Sequence, residues 1–207
     1  MKKIVTTLYS MLIILSLFTA SLVVNAETRL YAGTDISPGY GIRATITAPS
    51  YKEDFGNGGA AWVGMDRADT WQALQTGFYY TPARYNFITY YEIYNGGAHS
   101  TVDVGLHLFG YPIDYRVELN ASAAQWEAYI SNTLVGTLEY GGAANVSALA
   151  EFFSNDKKLL PIKFENVSYR YPNTGWRYMD KAPNYNDSPY IATYSGAIYC
   201  NYTIEGR

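Results

Sequence analysis

The sequence predicts an all-β fold, a sandwich or a barrel, from the spacing of its apolar runs and from its composition. Short runs of β-branched and aromatic residues alternate with turn-forming clusters along most of the 207 residues. Charged residues make up only 16% of the chain, while tyrosine occurs 22 times. Tyrosine suits half-buried pleated surfaces, because its ring packs and its hydroxyl stays wet. Strands at this spacing also argue against βαβ units.

Residues 1–26 are predicted to be a secretory signal peptide. Lys2 and Lys3 provide a positively charged start, and an apolar stretch runs from Leu8 to Val24. Val24-Asn25-Ala26 has the small-x-small pattern of a cleavage site. An uncleaved membrane anchor is the alternative, but serine and threonine dilute the apolar stretch. We therefore expect residues 27–207 to be one secreted, extracellular domain without membrane contact after cleavage.

Eleven segments of this domain have the composition of strands. They are Arg29–Tyr31, Gly41–Ala48, Ala61–Met65, Thr76–Tyr80, Tyr85–Tyr94, Thr101–Phe109, Asp114–Asn120, Gln125–Ser131, Leu134–Tyr140, Leu160–Tyr169 and Ile191–Ile204. Clusters of Gly, Asn and Pro separate them, as in Asn95-Gly96-Gly97. The clearest hairpin spans Gln125 to Tyr140, with Asn132-Thr133 as its turn. The one helical candidate is Val146 to Phe153, where periodicity does not separate a helix from a buried strand.

Charge and cysteine content exclude several classes of function. The net charge of -3 and the acidic pI of about 5.4 argue against a nucleic-acid binder. Cys200 is the single cysteine, so no intramolecular disulfide and no cysteine-cluster metal site is possible. With only His99 and His107 besides, we predict no metal site. The sequence has no P-loop and no dinucleotide fingerprint, so we predict no cofactor.

Nucleophilic catalysis by serine or cysteine has little support in the sequence. No Gly-x-Ser-x-Gly elbow is present, and Cys200 is interpreted as a buried strand residue. Carboxylates on predicted strands remain for general acid–base chemistry. These candidates are Glu92, Glu118, Glu127, Glu139, Glu151 and Glu165. Spacing alone does not tell which of them meet in space.

The tyrosines between Tyr79 and Tyr94 allow two interpretations. They are Tyr79, Tyr80, Tyr85, Tyr90, Tyr91 and Tyr94. They either line a groove that binds a peptide or glycan polymer, or they are ordinary strand residues packed in a sheet.

Four motifs, in this order, resemble the glutamic peptidases of the eqolisin family. They are Trp62-Val63-Gly64-Met65-Asp66, Gln75-Thr76-Gly77, Tyr91-Glu92-Ile93-Tyr94 and Ala150-Glu151-Phe152. A stretch of the form Pro-apolar-x-Phe-x-x-Val follows at Pro161 to Val167. The resemblance runs from about Leu30 to Tyr202. It departs from the family at Ile93 and Phe152, where the family has tryptophan, and at Arg67, where a small glycine is common.

The resemblance implies a lectin-like (concanavalin-like) antiparallel β-sandwich of two curved sheets. It also implies that Gln75 and Glu151 form the catalytic dyad on the concave face. Glu151 would activate a water and later protonate the leaving amine, and Gln75 would donate a hydrogen bond to the oxyanion. The residues expected to line or support the groove are Trp62, Asp66, Tyr90, Glu92 and Tyr94.

The resemblance therefore favours a secreted acid endopeptidase with a polypeptide substrate, which we expect to be a monomer. The alternative is a non-catalytic secreted sandwich that binds an extracellular polysaccharide or a peptide through a Tyr-rich concave face. A glycoside hydrolase of lectin-like fold is a third interpretation. It would need two carboxylates facing each other across the groove, and the sequence lacks a Glu-x-Asp-x-x-Glu strand of that kind.

Overall fold

Two antiparallel β-sheets make up the part of the chain that the structure, a computed structural model, describes. The described residues are 29–50, 58–81, 83–153, 161–194 and 200–206. The predicted signal peptide, residues 1–26, lies outside them. No helix in the described ranges is long and apolar enough to cross a membrane.

The described residues form fifteen strands. They are β1 (Leu30–Gly39), β2 (Gly41–Thr47), β3 (Gly59–Arg67), β4 (Gln72–Tyr80), β5 (Phe87–Asn95), β6 (Ala98–His107), β7 (Pro112–Asn120), β8 (Gln125–Ile130), β9 (Thr133–Glu139), β10 (Ala144–Phe152), β11 (Ile162–Arg170), β12 (Trp176–Tyr178), β13 (Tyr185–Asn186), β14 (Tyr190–Tyr194) and β15 (Tyr202–Gly206). Sheet A has the order β13-β1-β10-β3-β4-β5-β6. Sheet B has the order β14-β15-β11-β2-β7-β8-β9, and β12 pairs with β11. The predicted all-β, antiparallel sandwich is confirmed.

The core lies between the two sheets, and the two sheets fill it differently. Sheet A contributes many small residues, among them Ala148 and Ala150 on β10, which are fully buried. Sheet B contributes large side chains such as Trp126 and Tyr115, also fully buried. Small residues on one layer facing large ones on the other allow dense packing, which is what stabilises a sandwich that has no disulfide.

Strand alternation gives sheet A a second, outer face that points away from the core. On β4, Leu74 and Phe78 are fully buried in the core, whereas Gln75 lies between them in sequence and is only half-buried. Successive side chains of a strand point to opposite faces. The outer face of sheet A therefore carries the odd-numbered residues of β4 and β10, including Gln75 and Glu151.

The helix considered for Val146 to Phe153 is wrong, because this segment forms most of β10. β10 lies in the middle of sheet A and pairs with β1 on one side and β3 on the other. Most of its residues are buried on both faces, so its sequence has no clean alternation. A continuous apolar run of this length fits a central strand as well as a short helix.

The predicted hairpin is confirmed, but its turn is one residue earlier than expected. β8 pairs with β9, and Ser131 and Asn132 form the turn with φ angles of 47° and 67°. Two consecutive positive φ angles are typical of a type I′ hairpin turn. Thr133, assigned to the turn from the sequence, instead begins β9, as expected for a β-branched residue.

The last predicted strand, Ile191–Ile204, is two strands rather than one. β14 pairs antiparallel with β15, with Tyr194 opposite Tyr202, so the chain must reverse direction between them. Cys200 lies at a turn position just before β15 and is half-buried. The interpretation of Cys200 as a buried strand residue is therefore wrong, although it packs against the core.

Substitution of Gly77 tests whether the backbones of β4 and β3 must lie close together. A Cβ atom on Gly77 would lie 2.0 Å from the carbonyl oxygen of Ala61 and 2.6 Å from the Cα of Trp62. Gly77→Ala should therefore lower the free energy of unfolding by about 1–3 kcal/mol, measured by urea denaturation. In the control Gly105→Ala, on β6, the new Cβ meets only Thr89 Oγ1 at 3.4 Å, and a change within about 0.5 kcal/mol is expected. Equal losses in both variants would contradict this view of the β3–β4 contact.

Candidate active site

A cavity of about 350 Å³ opens on the outer face of sheet A. We call it the sheet A cavity. Five of the seven residues singled out from the sequence line it, namely Trp62, Asp66, Gln75, Tyr94 and Glu151. The other two, Tyr90 and Glu92, contact Gln75 beside it. One face of one sheet therefore gathers all seven, although they come from four strands.

Strand register sets how far apart the two proposed catalytic residues lie. Gln75 is opposite Gly64 of β3, and Glu151 is opposite Ala60 of the same strand. Their backbones are therefore offset by four residues, roughly 13 Å, along β3 and lie on opposite sides of that strand, so only their side chains approach each other in the cavity. The hydrogen bonds of Gln75 go to β5 and that of Glu151 goes to Arg29. They share one cavity without being hydrogen-bond partners, and their catalytic roles stay predictions.

Gln75 is held by two neighbours on β5. Its Nε2 donates a short hydrogen bond to Glu92 Oε2 and a second one, of 3.1 Å, to the Tyr90 hydroxyl. The Glu92 contact follows from the register, since Glu92 is directly opposite Gln75. Burial, with the charge of Glu92 nearby, raises the pKa of Tyr90 well above its usual range, so this phenol stays neutral. The amide of Gln75 is therefore fixed in position.

Glu92 is the centre of a hydrogen-bond network that the sequence did not reveal. Its Oε1 accepts hydrogen bonds from Thr101 Oγ1 at 3.0 Å and from the Tyr94 hydroxyl at 3.3 Å, and it contacts His99 Nε2 at short range. The His99 ring stacks on Tyr94, with centroids 4.3 Å apart. β5 and β6 form a hairpin across the Asn95-Gly96-Gly97 turn, which places His99 opposite Tyr94 and Thr101 opposite Glu92. The sequence analysis did not pair these two strands. The register of this hairpin is therefore the sequence signal that could have identified His99 and Thr101 as neighbours of Glu92.

Glu151 is a buried carboxyl group with one cationic partner. Its side chain accepts a 2.7 Å hydrogen bond from Arg29 Nη1, and only 5% of the residue is exposed. Burial raises the pKa of Glu151, and the nearby charge of Glu92 adds to that effect. The charge and hydrogen bond of Arg29, together with the Trp62 indole, act in the opposite direction. The net result is a carboxyl group whose pKa lies above its usual range.

The indole N–H of Trp62 is a buried donor that forms no regular hydrogen bond. Its neighbouring acceptor is the Glu151 carboxylate, and this interaction lowers the pKa of Glu151, but the indole forms no hydrogen bond of normal geometry with any described group. Leaving a buried donor unpaired costs about 1–3 kcal/mol, so native proteins rarely retain one without a reason. Since Trp62 lines the sheet A cavity, a ligand there can supply the missing acceptor.

Asp66 lies at the other end of the sheet A cavity from Glu151 and has a structural partner. The Asn145 side-chain amide donates a 2.8 Å hydrogen bond to Asp66 Oδ1, and the two residues are opposite each other in the β10–β3 register. Burial raises the pKa of Asp66, and the Asn145 hydrogen bond opposes that shift. Asp66 therefore shapes the cavity rather than contacting Gln75 or Glu151.

The tyrosines between Tyr79 and Tyr94 do not form one continuous row. Tyr90 and Tyr94 lie on the outer face with Gln75, and so does Tyr79, whose ring meets that of Tyr90 edge-on at 5.4 Å. Tyr80 and Tyr91 point to the other side and pack in or against the core. The reason is alternation along β4 and β5. Three of the six tyrosines, Tyr79, Tyr90 and Tyr94, therefore lie on the outer face, where a groove could use them.

The two histidines have different environments. His99 belongs to the network around Glu92, as described above. His107 is buried, with Nδ1 2.8 Å from the Tyr115 hydroxyl and Nε2 2.7 Å from the Tyr111 carbonyl oxygen. Burial lowers the pKa of His107 to about 4, so it is a neutral core residue. Among the described residues, no group of three or more His, Cys, Asp or Glu side chains is placed to hold a metal ion.

Comparisons with known proteins identify similarity in fold. No protein-family model matches the chain, and no curated protein matches it by sequence. Among solved structures, scytalidoglutamic peptidase with a peptide-based transition-state analogue is 19% identical, covering 88% of this chain and 99% of that chain with a TM-score of 0.59. SCP-B, a member of the eqolisin family solved with the tripeptide Ala-Ile-His, is 18% identical, covering 86% and 98% with a TM-score of 0.53.

These matches bear on the resemblance that the four motifs suggested. They extend over most of the described chain and almost all of each peptidase. Identity at this level shows the fold and leaves the site residues to be tested. The chain therefore has the fold of the eqolisin glutamic peptidases, as a divergent example of it.

Proposed function

We propose that this chain is an endopeptidase of the glutamic type, acting on polypeptides at acidic pH. The observation that carries the proposal is the sheet A cavity. An amide held in place (Gln75), a carboxyl group of raised pKa (Glu151) and an unpaired indole N–H (Trp62) all line it. The matched peptidases of this fold were solved with a peptide-based transition-state analogue and with a tripeptide, which agrees with a peptide in the equivalent place.

In this proposal Glu151 acts first as a base and then as an acid. Its carboxylate takes a proton from a water molecule as the water oxygen bonds to the scissile carbonyl carbon. The protonated Glu151 then gives that proton to the leaving nitrogen as the C–N bond breaks. The Arg29 contact favours the charged form that acts as base, while burial favours the protonated form. A carboxyl group balanced in this way serves both steps.

Gln75 and Trp62 supply donors for the oxyanion in the proposed reaction. The carbonyl oxygen of the substrate replaces the Tyr90 hydroxyl as acceptor of one Nε2 hydrogen of Gln75, while the bond to Glu92 keeps the amide in place. The indole N–H of Trp62, which has no hydrogen bond of normal geometry with any described group, turns from the Glu151 carboxylate to the substrate oxygen. Donors placed before the reaction stabilise developing charge without reorganisation. Both side chains line the sheet A cavity. The charge of Glu151 also acts on the Tyr90 phenol that accepts from Gln75, so in this proposal a substrate carbonyl between the two side chains contacts both.

The proposal also assigns a location and a state. We propose that the domain of residues 27–207 acts outside the cell, because residues 1–26 have the features of a secretory signal. We also propose that it is a monomer. Recovery of the protein from the medium with residue 27 at its N-terminus would support this location.

Replacing the two proposed catalytic residues should abolish most of the activity. Glu151→Gln removes the group that moves the proton, and Gln75→Ala removes a donor to the oxyanion, so each should lower kcat by about 100-fold or more. The assay is digestion of an acid-denatured protein across acidic pH. The matched control is Glu165→Gln, an exposed glutamate on β11 of the other sheet, which should cleave at the wild-type rate.

Glu92→Gln distinguishes Glu92, the carboxylate bonded to Gln75, from Glu151, the proposed base. Because Glu92 only positions Gln75 in this proposal, the variant should keep activity within about tenfold of wild type. Loss of activity in Glu92→Gln with full activity in Glu151→Gln would overturn the assignment of Glu151. Wild-type cleavage in both variants and in Gln75→Ala would overturn the peptidase proposal at this site.

Trp62→Phe tests the unpaired indole donor. The substitution keeps an aromatic ring and removes the N–H, so transition-state stabilisation should fall more than substrate binding. We expect kcat to fall by about 100-fold, as for other oxyanion donors, with KM changed little. Steady-state kinetics on a short chromogenic peptide separates the two constants. A rise in KM at unchanged kcat would mean that Trp62 only binds substrate.

Arg29→Ala tests the charge balance at Glu151 through its pH dependence. Arg29 lowers the pKa of Glu151, so its removal should raise that pKa. Glu151 would then be protonated, and lost as a base, at a higher pH. The acidic limb of the profile of kcat/KM against pH should therefore move to higher pH. Arg84→Ala, which removes an exposed arginine paired with Asp103, should leave the profile in place, and an unmoved limb in Arg29→Ala would contradict the proposed role of Glu151.

A further inference from the structure

A second cavity, of about 400 Å³, lies on the outer face of sheet B. We call it the sheet B cavity. It is bordered by β2, β7, β8, β11 and β12. Its polar and aromatic lining includes Arg43, Asp114, Arg116, Tyr129, Asn132 and Tyr178. The side chains next to these in sequence, such as Ala44 and Tyr115, point into the core. The cavity therefore faces away from the core, whereas the proposed peptidase site lies on sheet A. Its size is within the range of small-molecule sites, roughly 300–1,000 Å³.

One wall of the sheet B cavity is a stack of fixed side chains. The guanidinium of Arg116 lies over the Tyr129 ring, 4.1 Å from its centroid. Arg116 Nε is 3.1 Å from Glu118 Oε1, and the Tyr129 hydroxyl donates a 2.5 Å hydrogen bond to Glu127. Groups held in this way lose little conformational entropy when a ligand binds.

The acceptor of the sheet B cavity is also fixed. Asp114 Oδ1 accepts a 2.6 Å hydrogen bond from Thr45 Oγ1 on the neighbouring strand. A carboxylate has more lone pairs than this single bond uses. Asp114 therefore has acceptor positions left for a ligand in the cavity that Arg116 also lines.

Arg43 is a charged side chain of the sheet B cavity whose charge is not neutralised by a described carboxylate. It lies directly opposite Arg116 in the β2–β7 register, and like charges in this position repel each other. Arg116 is compensated by Glu118. Arg43 stacks on Trp176, 4.8 Å from the ring centroid, and no carboxylate among the described residues lies within 4.0 Å of it. Its donors therefore remain available to the oxygen atoms of a ligand.

The chemistry of the lining selects the class of ligand. Arginine only donates hydrogen bonds, ionised aspartate only accepts them, and asparagine does both. A ligand that matches all three needs many groups that both donate and accept, as the hydroxyls of a sugar do. Tyr178, which is 56% exposed, offers a ring on which the apolar face of a sugar can pack. Asp114 disfavours an anionic ligand at the same place, and the two arginines disfavour a cationic one.

We propose that the sheet B cavity binds a neutral saccharide unit. Arg43 and Arg116 donate to its ring or hydroxyl oxygens, Asp114 accepts from its hydroxyls, and Tyr178 packs against its ring. The site is separate from the sheet A cavity and does not depend on the peptidase proposal. A saccharide bound there would leave the sheet A cavity open, so the chain could hold a glycan and cleave a peptide at the same time.

The test is calorimetric titration of the full chain with defined oligosaccharides. The probes are four neutral hexasaccharides (cellohexaose, xylohexaose, chitohexaose and mannohexaose), the acidic hexagalacturonate and hexaalanine as a peptide. We expect binding of at least one neutral probe. Arg43→Ala and Tyr178→Ala should each weaken it about tenfold or more, the effect of losing one hydrogen bond to a charged group or one ring contact. Peptide cleavage should stay at the wild-type rate in both variants.

Matched controls use an exposed arginine and an exposed tyrosine elsewhere, Arg84→Ala and Tyr85→Ala, which should bind as wild type does. Thermal melts confirm that each variant is folded, and Tyr178→Ala carries the test if Arg43→Ala does not fold. The proposal is overturned if no neutral probe binds, or if only hexagalacturonate or hexaalanine binds. It is also overturned if both variants bind the neutral probe as tightly as wild type, which would place the glycan elsewhere, for example in the sheet A cavity.

Discussion

The pairing of β10, β3 and β4 is the constraint on which the rest of this structure depends. It places the small residues of β10 against the core and, by alternation, turns Gln75 and Glu151 to the outer face of sheet A. A shift of one residue in this register would exchange the two faces. The close approach of β3 to the backbone at Gly77 helps to hold the register. Fold and candidate site are thus two consequences of one pairing.

The candidate site combines polar side chains that have hydrogen-bond partners with one donor that has none of normal geometry. Gln75, Glu92 and Glu151 all have partners, and those partners hold them in place. The indole N–H of Trp62 has none among the described groups. A buried network in which a single donor is left open is stable without a ligand and still gains a hydrogen bond when one arrives.

The sequence predicted the fold class and one face of the site, and it failed where long-range pairing decides. The alternation of apolar and polar residues predicted β8 as a strand, because one side of that strand packs in the core. The sequence of β10 fitted a helix as well as a strand, because both sides of β10 are buried. Motif resemblance selected Gln75 and Glu151, which do share a cavity. The contact between Arg29 and Glu151 joins residues 122 positions apart, and no local pattern encodes it. Nor did any motif mark Arg43 and Arg116, which meet only through the β2–β7 register.

We propose that Glu151, Gln75 and Trp62 act on the same peptide carbonyl. A crystal structure of the chain with a peptide-based transition-state analogue tests this most directly, because the tetrahedral centre marks where the reaction takes place. We predict one tetrahedral oxygen within hydrogen-bond distance of the Glu151 carboxyl group. The other oxygen should accept from Gln75 Nε2 and Trp62 Nε1. An analogue bound away from the sheet A cavity, or in contact with Glu92 and not with Glu151, would contradict the account.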